Sequence, residues 1–435
     1  MPDVTRRTFL GAAGVLSVAA GQAQPSDRIN VGMIAVGSRS QELLEGIKKV
    51  EGAEIVGICD GYRGRLQRAQ ERTAGRAKIY PDHKELLADP AIDAVTVGSP
   101  DHWHKRHVID SLEAGKDVYC EKPLTRTIVE GPEIAAAVKK TGKLVQVGSQ
   151  GISADVQHKA REWIQAGKLG QVTMIRASYN RNTAGGAWVY PIPADASPKT
   201  VDWEMFLGSA PKRPFDLERF FRWRCYQEYS GGIATDLFVH LTTTIHFIMD
   251  AVMPAKVVGR GSLYRWRESR NVPDTLNAIL EYPEGFTANL SSTFNNQYEP
   301  AGSFEFLGNE GTLILGWSKL TFIPERNFDT NGWITQAWPA DLERKYNESP
   351  EVKQVEEARR KARGVERKIE EFSETGADPT VKHLSYFFES VRSRKPTVED
   401  VMDGHRAAAC AHLVNDSARR DKVVEWDFAK DLRKG

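Results

Sequence analysis

The stretch INVGMIAVGSRS, residues 29–40, decides the fold because it places an apolar, β-branched run directly before a glycine turn. A helical spacing of apolar residues follows, and a second apolar run, Ala53–Cys59, ends in Asp60. Strand, turn, helix and strand in this order predict a βαβ unit of a parallel sheet. In such a unit the glycine turn lets the backbone approach a pyrophosphate at the helix N-terminus.

The glycine turn is an incomplete version of the dinucleotide-binding fingerprint G-x-G-x-x-G. Gly37 matches the second glycine, whereas Ala35 and Ser40 stand at the positions of the first and third. The acid that ends the second strand is placed to accept hydrogen bonds from an adenosine ribose. We therefore expect a nicotinamide dinucleotide to contact Ala35, Gly37, Ser38, Arg39, Ser40 and Asp60. A plain βαβ unit without a nucleotide is the alternative.

The acid also bears on the form of the cofactor. Asp60 favours NAD(H), because a carboxylate repels the 2′-phosphate of NADP(H). Arg63 and Arg65 follow closely and could accommodate that phosphate, so NADP(H) stays open.

Turns with polar and charged side chains follow further strands of the same sheet. The run at 94–98 ends before SPDHWH at 99–104, the run at 117–120 ends before EKP at 121–123, and a last strand at 144–148 leads to the final turn. Ligands of open parallel sheets bind where the carboxyl ends of strands meet. We expect the cofactor site to include Ser99, Pro100, His104, Glu121, Lys122 and Gln150.

Length, charge and cysteine content limit the class of protein. A chain of 435 residues fits two or three domains of about 150 residues each. Its formal net charge is +1, so no overall field attracts nucleic acid or an anionic membrane. The four cysteines form no CxxC pair, and no apolar run is long enough for a stable membrane span. We expect a small-molecule substrate, no bound metal and no nucleic-acid partner.

The N-terminus has the pattern of an export signal. Arg6 and Arg7 precede a short apolar run at 9–20, and small residues lie near Ala20 and Ala23. This arrangement is typical of a twin-arginine signal, here residues 1–24, read by the twin-arginine export machinery. An ordinary frayed terminus is the alternative. Export predicts a periplasmic or otherwise exported protein, which has no cytoplasmic cofactor pool and should hold its cofactor tightly.

From residue 150 onward the pattern changes to long successive strands. They are expected at 172–179, 256–264, 274–282 and 286–294, with a hairpin at 303–315. Successive strands imply a mostly antiparallel sheet that needs one face covered. The fold class is therefore α/β, with a Rossmann-type parallel sheet at 28–149 and an α+β domain at 150–435. The mixed charge of residues 343–371 predicts a solvated helical insertion.

Three further motifs lie far apart along the chain. They are the EKP turn after SPDHWH, GGIATDLFVH at 231–240, and a closing set of Pro396, Gly404 and EWD at 425–427. Together they resemble the Gfo/Idh/MocA family, which includes glucose–fructose oxidoreductase and inositol dehydrogenase. The resemblance covers nearly the whole chain after residue 28 and departs in the glycine turn. It implies a large open-faced sheet that is commonly buried by dimer formation, hence a homodimer or homotetramer.

The resemblance places the family's motif lysine at Lys122 and its helix acid and histidine at Asp236 and His240. Residues four apart share a helix face, so Asp236 and His240 can address one pocket. A histidine oriented by the acid can take a hydroxyl proton while hydride leaves the same carbon. A lysine held between an acid and a proline can stabilise the oxygen. A structural helix histidine and a surface lysine are the alternatives.

A segment dense in aromatic and guanidinium groups lies directly before that helix. Aromatic faces stack on sugar C–H surfaces, and arginine donates forked hydrogen bonds to hydroxyls or carboxylates. Candidate substrate contacts are Arg222, Trp223, Arg224 and Tyr226, with Asn180, Arg181, Asn182 and Trp188 as weaker candidates. An aromatic core segment is the alternative.

These features predict an NAD(P)-dependent oxidoreductase that acts on a hydroxyl of a sugar, glycoside or polyol. The balanced net charge favours a neutral sugar over an acidic substrate. An NAD-dependent glycoside hydrolase or lyase, working through a transient keto-sugar, is the second interpretation. A non-catalytic ligand-binding protein on the same fold is the third.

Overall fold

The computed structural model describes residues 28–268, 270–298, 302–325, 331–363 and 368–433. The export signal predicted at residues 1–24 lies outside these ranges and stays a prediction. Within them, no helix is long and apolar enough to cross a membrane.

The first half of the chain builds a six-stranded parallel sheet. Its strands are β1 (Ile29–Ile34), β2 (Ala53–Cys59), β3 (Lys78–Ile79), β4 (Ala94–Val97), β5 (Asp117–Glu121) and β6 (Val145–Gly148). The connecting helices are α1 (Ser38–Ile47), α2 (Arg63–Arg72), α3 (His83–Ala88), α4 (Asp101–Glu113) and α5 (Glu130–Thr141). The spatial order β3-β2-β1-β4-β5-β6 confirms the predicted Rossmann-type sheet.

The second half builds a mixed sheet of ten described strands. They are β7 (Val172–Ser178), β8 (Lys256–Ser262), β9 (Thr275–Tyr282), β10 (Phe286–Thr293), β11 (Ser303–Gly308), β12 (Gly311–Leu315), β13 (Lys319–Pro324), β14 (Glu370–Ser373), β15 (Val424–Asp427) and β16 (Leu432–Arg433). Their order is β14-β13-β12-β11-β7-β10-β9-β8-β15-β16. Only β7 and β10 pair in parallel among them, so the predicted, mostly antiparallel sheet is confirmed.

Nine described helices accompany this sheet. They are α6 (Asp155–Gln165), α7 (Trp203–Leu207), α8 (Leu217–Phe221), α9 (Val239–Met249), α10 (Gly332–Thr335), α11 (Ala340–Asn347), α12 (Pro350–Arg363), α13 (Pro379–Ser393) and α14 (Val401–Arg420). Helices α6, α9 and α14 pack on one face of the sheet and on each other.

The opposite face of the second sheet is open. On β9, Leu276 and Leu280 are buried, whereas Ile279 between them is 46% exposed. Ile314 on β12 and Ile323 on β13 are exposed in the same way. Side chains alternate between the two faces of a strand, so these residues mark one continuous uncovered surface. That a second copy covers it stays a prediction.

The charged segment predicted at residues 343–371 is only partly a helical insertion. Helices α11 and α12 have the expected character, but β14 begins inside the segment and pairs with β13. Phe372 is opposite Leu320 in this pairing and packs against the core. The charge pattern did not predict β14, because a short edge strand can be held by a single apolar side chain and otherwise be polar.

Helix α13 joins the second half of the chain to the first. Its Leu384, Phe387 and Phe388 are fully buried in the same cluster as Leu43 and Ile47 of α1. The domain boundary at residue 150 stays a prediction, while this packing fixes the Rossmann sheet relative to the C-terminal helices.

Candidate active site

The carboxyl ends of β1, β2, β4, β5 and β6 open into one cavity of about 1090 Å³. Its opposite wall comes from the second half of the chain, namely the end of β7, the β12–β13 turn and the segment leading into α9. The chemically loaded strand ends therefore meet at one place, as expected for a parallel α/β sheet. We take this cavity as the candidate active site.

The turn after β1 has a dinucleotide-binding shape despite its missing glycines. Ala35 has a φ of 65°, in a left-handed region that costs an L-residue about 1–2 kcal/mol. Helix α1 then begins at Ser38 without a capping side chain, which leaves its first N–H groups available to an anion. Ala35, Gly37, Ser38 and Arg39 all line the cavity, in agreement with their predicted contact with a cofactor.

Ser40 does not line the cavity, so its predicted cofactor contact is wrong. The side chain is buried and faces Gly98, where an added Cβ would lie only 2.1 Å from Ser40 Oγ. The close approach of α1 to the sheet therefore depends on a glycine after β4 instead of a glycine at position 40. Ser40 is a packing residue.

Asp60 lies where β2 ends and shapes the loop beside the cavity. Its carboxylate accepts hydrogen bonds from the N–H groups of Val36 and Tyr62, each at 2.8 Å. A carboxylate has about four acceptor sites, so Asp60 can still accept bonds from a ribose. Arg65 lines the cavity with its Nη1 3.6 Å from the Asp60 carboxylate, whereas Arg63 does not line the cavity.

Glu121 and Gln150 join the glycine turn to the EKP turn. Glu121 Oε1 accepts hydrogen bonds from Arg39 Nε and from Gln150 Nε2, both at 2.9 Å. Ser99 and Pro100 line the same wall of the cavity. The ion pair between Arg39 and Glu121 thus ties the predicted phosphate-binding turn to the residue that precedes Lys122.

His104 also lines the cavity, but the backbone occupies both of its ring nitrogens. Nδ1 lies 2.6 Å from the carbonyl oxygen of Pro123, and Nε2 lies 2.8 Å from that of Ser99. The structure therefore places His104 between two turns at the wall of the cavity, and its contact with a cofactor stays a prediction.

A buried cluster of charges lies in the cavity where the two halves of the chain meet. Lys122 Nζ donates to Asp236 Oδ1 and to the Asp236 carbonyl, and Arg224 Nε donates to the same Oδ1, each at 3.0 Å. Burial by itself would raise the pKa of Asp236, but the charges of Lys122, Arg224 and Arg181 hold that pKa well below its usual range. Asp236 is therefore a carboxylate that fixes the positions of two cations.

The helix that carries Asp236 is not a regular α-helix. Residues Ala234–Phe238 form a π-helical turn, and α9 continues from Val239. Such turns are rare and occur frequently at functional sites. The α-helical spacing assumed from the sequence therefore does not hold between Asp236 and His240.

His240 faces the same cavity, as predicted, but Asp236 does not orient it. No hydrogen bond joins these two described residues, and Asp236 Oδ1 instead accepts from Lys122 and Arg224. Instead, the Tyr179 ring stacks beside His240 with 6.2 Å between centroids. Burial, and then the charge of Lys122, lower the pKa of His240 well below its usual value of 6.5. The imidazole is therefore neutral and can accept a proton.

Trp223 and Arg224 line the cavity, as predicted for substrate contacts. The Arg224 guanidinium lies 4.2 Å from the centroid of the Trp223 ring. Arg222 does not line the cavity, contrary to prediction, because its guanidinium donates to the Tyr190 carbonyl and to Glu218.

Four other predicted substrate contacts, Tyr226, Trp188, Asn180 and Asn182, also lie outside the cavity. Tyr226 is 6% exposed within the core, and Trp188 is fully buried edge-on against Phe294. The Asn180 side chain accepts the N–H of Thr293 where β10 ends. The alternative interpretation, an aromatic core, is correct for Tyr226 and Trp188.

Further residues complete this end of the cavity. Arg181 was a weaker candidate from the sequence, whereas the sequence did not single out Asp101, Tyr179, Tyr190 and Trp317. The sequence could have indicated Tyr179 as a cavity residue, because side chains alternate in extended backbone and the neighbours of an outward Asn180 point inward. No sequence pattern indicates Trp317, because it lies on a hairpin remote in sequence, although its ring is perpendicular to that of Tyr179 with 6.3 Å between centroids.

The structure also bears on metal ligands and thiols. No group of three histidine, cysteine or acidic side chains in the described ranges could hold a metal ion. The four cysteines are buried and free, and burial raises the pKa of Cys59 to about 12. Cys59 is therefore a structural thiol and not a nucleophile.

The cavity contains the groups that a nicotinamide dinucleotide requires. The uncapped N-terminus of α1 suits a pyrophosphate, and Asp60 suits a ribose. Arg39 Nη2 is buried without a partner in the described structure, which leaves a charged donor for a ligand. Together the fold and the site define a dinucleotide-dependent oxidoreductase.

Two family matches cover the two halves of the chain. Residues 29–149 match an oxidoreductase family with an NAD-binding Rossmann fold, and residues 205–314 match the GFO/IDH/MocA C-terminal domain. The chain belongs to the Gfo/Idh/MocA family of oxidoreductases, and its first half is an NAD-binding Rossmann domain.

Similar proteins of known name include two curated relatives and one solved structure. scyllo-Inositol 2-dehydrogenase (NAD(+)) of Bacillus subtilis (strain 168) is 24% identical over 272 residues, which cover 62% of this chain and 68% of that protein. 1,5-Anhydro-D-fructose reductase of Ensifer adhaerens is 25% identical over 290 residues, or 65% of this chain and 74% of that protein. A levoglucosan dehydrogenase in complex with NADH and levoglucosan shares the fold, with a TM-score of 0.67, 16% identity and coverage of 92% and 99% of the two chains.

Proposed function

We propose that this protein transfers hydride between NAD(H) and a hydroxyl-bearing carbon of a sugar, glycoside or polyol. One observation carries the proposal: Lys122, Asp236 and His240 lie in the cavity that the strand ends of the NAD-binding domain form. The similar proteins, which are named for an inositol, an anhydrofructose and levoglucosan, support the substrate class.

His240 and Lys122 divide the proton and charge chemistry of the oxidation. The neutral His240 ring accepts the proton of the substrate hydroxyl while the hydrogen on the same carbon leaves as hydride and a carbonyl forms. Lys122 donates a hydrogen bond to that oxygen, whose negative charge grows in the transition state. When bound, the nicotinamide supplies the hydride acceptor. Asp236 acts by holding Lys122 and Arg224 in place.

The lowered pKa of His240 predicts a working range that extends to acid pH. Oxidation needs the neutral ring, so activity is lost only as pH falls through the lowered pKa. We expect kcat for oxidation to change little from about pH 8 to about pH 6, where an ordinary histidine is already largely protonated. Initial rates at saturating substrate across this range test the point. An acid limb centred near the ordinary value of about 6.5 would contradict it.

A strap formed by residues 190–221 closes the cavity over the end of β2, where Asp60 lies. Val201 and Tyr62 form an isolated antiparallel bridge across this junction. The Tyr62 hydroxyl donates to Asp195 at 2.5 Å, and burial raises the pKa of Tyr62 to about 12, which keeps it a donor. The strap therefore encloses the end of the cavity that suits the adenosine ribose.

Arg65 strengthens this closure from the Rossmann side. Its guanidinium lies 5.2 and 5.3 Å from the ring centroids of Phe220 and Phe221 at the end of the strap. The enclosure supports a cofactor that is tightly bound and recycled within the catalytic cycle, and the carboxylate of Asp60 favours NAD(H) over NADP(H).

Replacing Tyr62 by phenylalanine should loosen the cofactor. The change removes one hydrogen bond to a carboxylate between the strap and the Rossmann domain, so we expect the Kd for NAD(H) to rise about 10-fold. Cofactor content after prolonged dialysis and calorimetric titration of the stripped protein measure this. Tyr80→Phe is the matched control, since Tyr80 donates to Asp89 outside the cavity. Equal retention in both variants would show that the strap does not hold the cofactor.

The proposed function is tested with the purified protein and a panel of sugars, glycosides and polyols. We expect members of the panel to reduce the nicotinamide, as read by its near-ultraviolet absorbance, without cleavage of a glycosidic bond. Release of an aglycone with no net change in the cofactor would instead support the glycoside hydrolase or lyase. Sugar binding with neither change would support a non-catalytic binding protein.

We further propose that the chain is exported and self-associates as a homodimer or homotetramer. The Arg6-Arg7 pair supports export by the twin-arginine route, and the apolar residues on the open sheet face, such as Ile279 and Ile314, support self-association. Cell fractionation and analytical ultracentrifugation test these two points separately. A cytoplasmic protein would overturn the first, and a monomer at micromolar concentration the second.

A further inference from the structure

The substrate end of the cavity carries an excess of positive charge. Lys122, Arg181 and Arg224 all act on Asp236, the one carboxylate at their centre. Asp101 also lies on this wall, but it is only 3% exposed at the start of α4 and faces Thr235. Burial and the nearby Asp236 raise the pKa of Asp101. Even when both carboxylates are charged, three cations face two acids, so one positive charge is left over.

The remaining acids that line the cavity have partners elsewhere. Glu121 and Glu42 both bind Arg39, and Asp60 binds backbone N–H groups. Glu374 accepts the first N–H groups of α6 and pairs with Lys382, while Asp378 caps α13. None of these five carboxylates neutralises the cations around Asp236.

Arg181 is the cation left over in this arrangement. Its guanidinium lies over the Tyr179 ring at 5.1 Å, and Nη1 donates to the Gly186 carbonyl at 3.3 Å. Within the described part of the chain no acidic side chain forms an ion pair with it, in contrast to Arg224, which binds Asp236. Arg181 lines the cavity, and the Tyr179 ring contacts both its guanidinium and the His240 ring, so Arg181 lies at the reacting end of the cavity.

We propose that the substrate is an anionic sugar, a uronic acid or a glycoside of one, and that Arg181 binds its carboxylate. This inference rests on the proposed function and narrows its substrate class. A guanidinium donates two parallel hydrogen bonds to a carboxylate, and the exposed ring of Trp317, which lines the same end of the cavity, suits the apolar face of a sugar ring. The near-zero net charge of the chain does not oppose this, because recognition depends on the local charge of the cavity.

Uronic acids and their neutral amides separate charge from shape. The probes are D-glucuronate, D-galacturonate and their methyl glycosides, each paired with the corresponding uronamide. For at least one pair we expect the holoprotein to bind the acid about 10- to 100-fold more tightly than the amide by calorimetry, with a matching difference in kcat/KM. Arg181→Gln should abolish this preference while the affinity for the amide stays within a few-fold.

Arg176→Gln is the matched control, because Arg176 lies on β7, the strand that leads to Arg181, pairs with Glu305 and does not line the cavity. It should keep the full preference for the acid. Equal binding of every acid and its amide, or an unchanged preference in Arg181→Gln, would overturn the inference. Calorimetry measures binding independently of turnover, so the two proposals can fail separately. If only neutral sugars reduced the nicotinamide, the proposed function would stand and the inference of an anionic substrate would fail. If the protein preferred the acids but turned none of them over, the anionic site would stand and the proposed function would fail.

Discussion

His240→Ala is expected to lower kcat by about 10²- to 10⁴-fold, because the substrate hydroxyl then loses its proton acceptor. The cofactor should stay bound, since the turn around Gly37 and the loop around Asp60 are distant in sequence and unchanged. The measurement is a single-turnover rate on protein whose bound NAD(H) has been quantified. An unchanged affinity with a reduced rate separates a chemical role from a folding defect.

His246→Gln is the control for this variant. His246 lies on the same helix, α9, but its Nε2 is 3.0 Å from the Tyr282 hydroxyl in the core, and it does not line the cavity. Its replacement should lower the thermal midpoint and leave kcat within a few-fold of the parent. Comparable loss of kcat in both variants, or near-normal turnover in His240→Ala, would remove His240 from the reaction.

Asp236→Asn is expected to damage both stability and turnover. The variant leaves Lys122 and Arg224, whose side chains are 11% and 23% exposed, without their shared carboxylate. Removing one partner of a buried ion pair typically costs about 3–5 kcal/mol, so we expect the free energy of unfolding to fall by about that amount. Because Lys122 loses its fixed position, kcat should fall about 10²-fold as well.

Asp274→Asn supplies the matched comparison. Asp274 is fully buried and accepts the N–H groups of Tyr264, Arg265 and Trp266 away from the cavity. This variant should lose stability through the same kind of change but keep its kcat at temperatures where it is folded. If Asp236→Asn also kept its kcat under those conditions, Asp236 would be a purely structural residue.

The parallel sheet and most of its functional turns could be predicted because their signals are local. A buried strand is recognisable from a few consecutive residues, and the residue that follows it necessarily lies at the edge where ligands bind. Asp60, Glu121 and Lys122 were found in this way and all line the cavity. The mostly antiparallel second sheet followed from its run of successive strands.

The substrate end was harder because its residues come from distant segments and its aromatic composition misleads. Trp188 and Tyr226 were predicted to bind substrate because of their aromatic side chains, yet both are buried in the core. Arg181 and Asn180 were given equal, weaker status, although the alternation of side chains along the extended backbone decides between them. The prediction that Asp236 orients His240 was also wrong. Residue spacing alone indicates neither the π-helical turn nor the two cations that bind Asp236.

The most direct test of the proposed function is the amount of nicotinamide dinucleotide released when the purified full-length protein is denatured. We expect about one NAD(H) per chain, since the uncapped α1, Asp60 and the strap enclose a single dinucleotide-sized cavity. The same protein, stripped and refilled, should bind added NAD(H) and become reducible by its sugar substrate. Release of no dinucleotide, together with no binding of added NAD(H) or NADP(H), would contradict it.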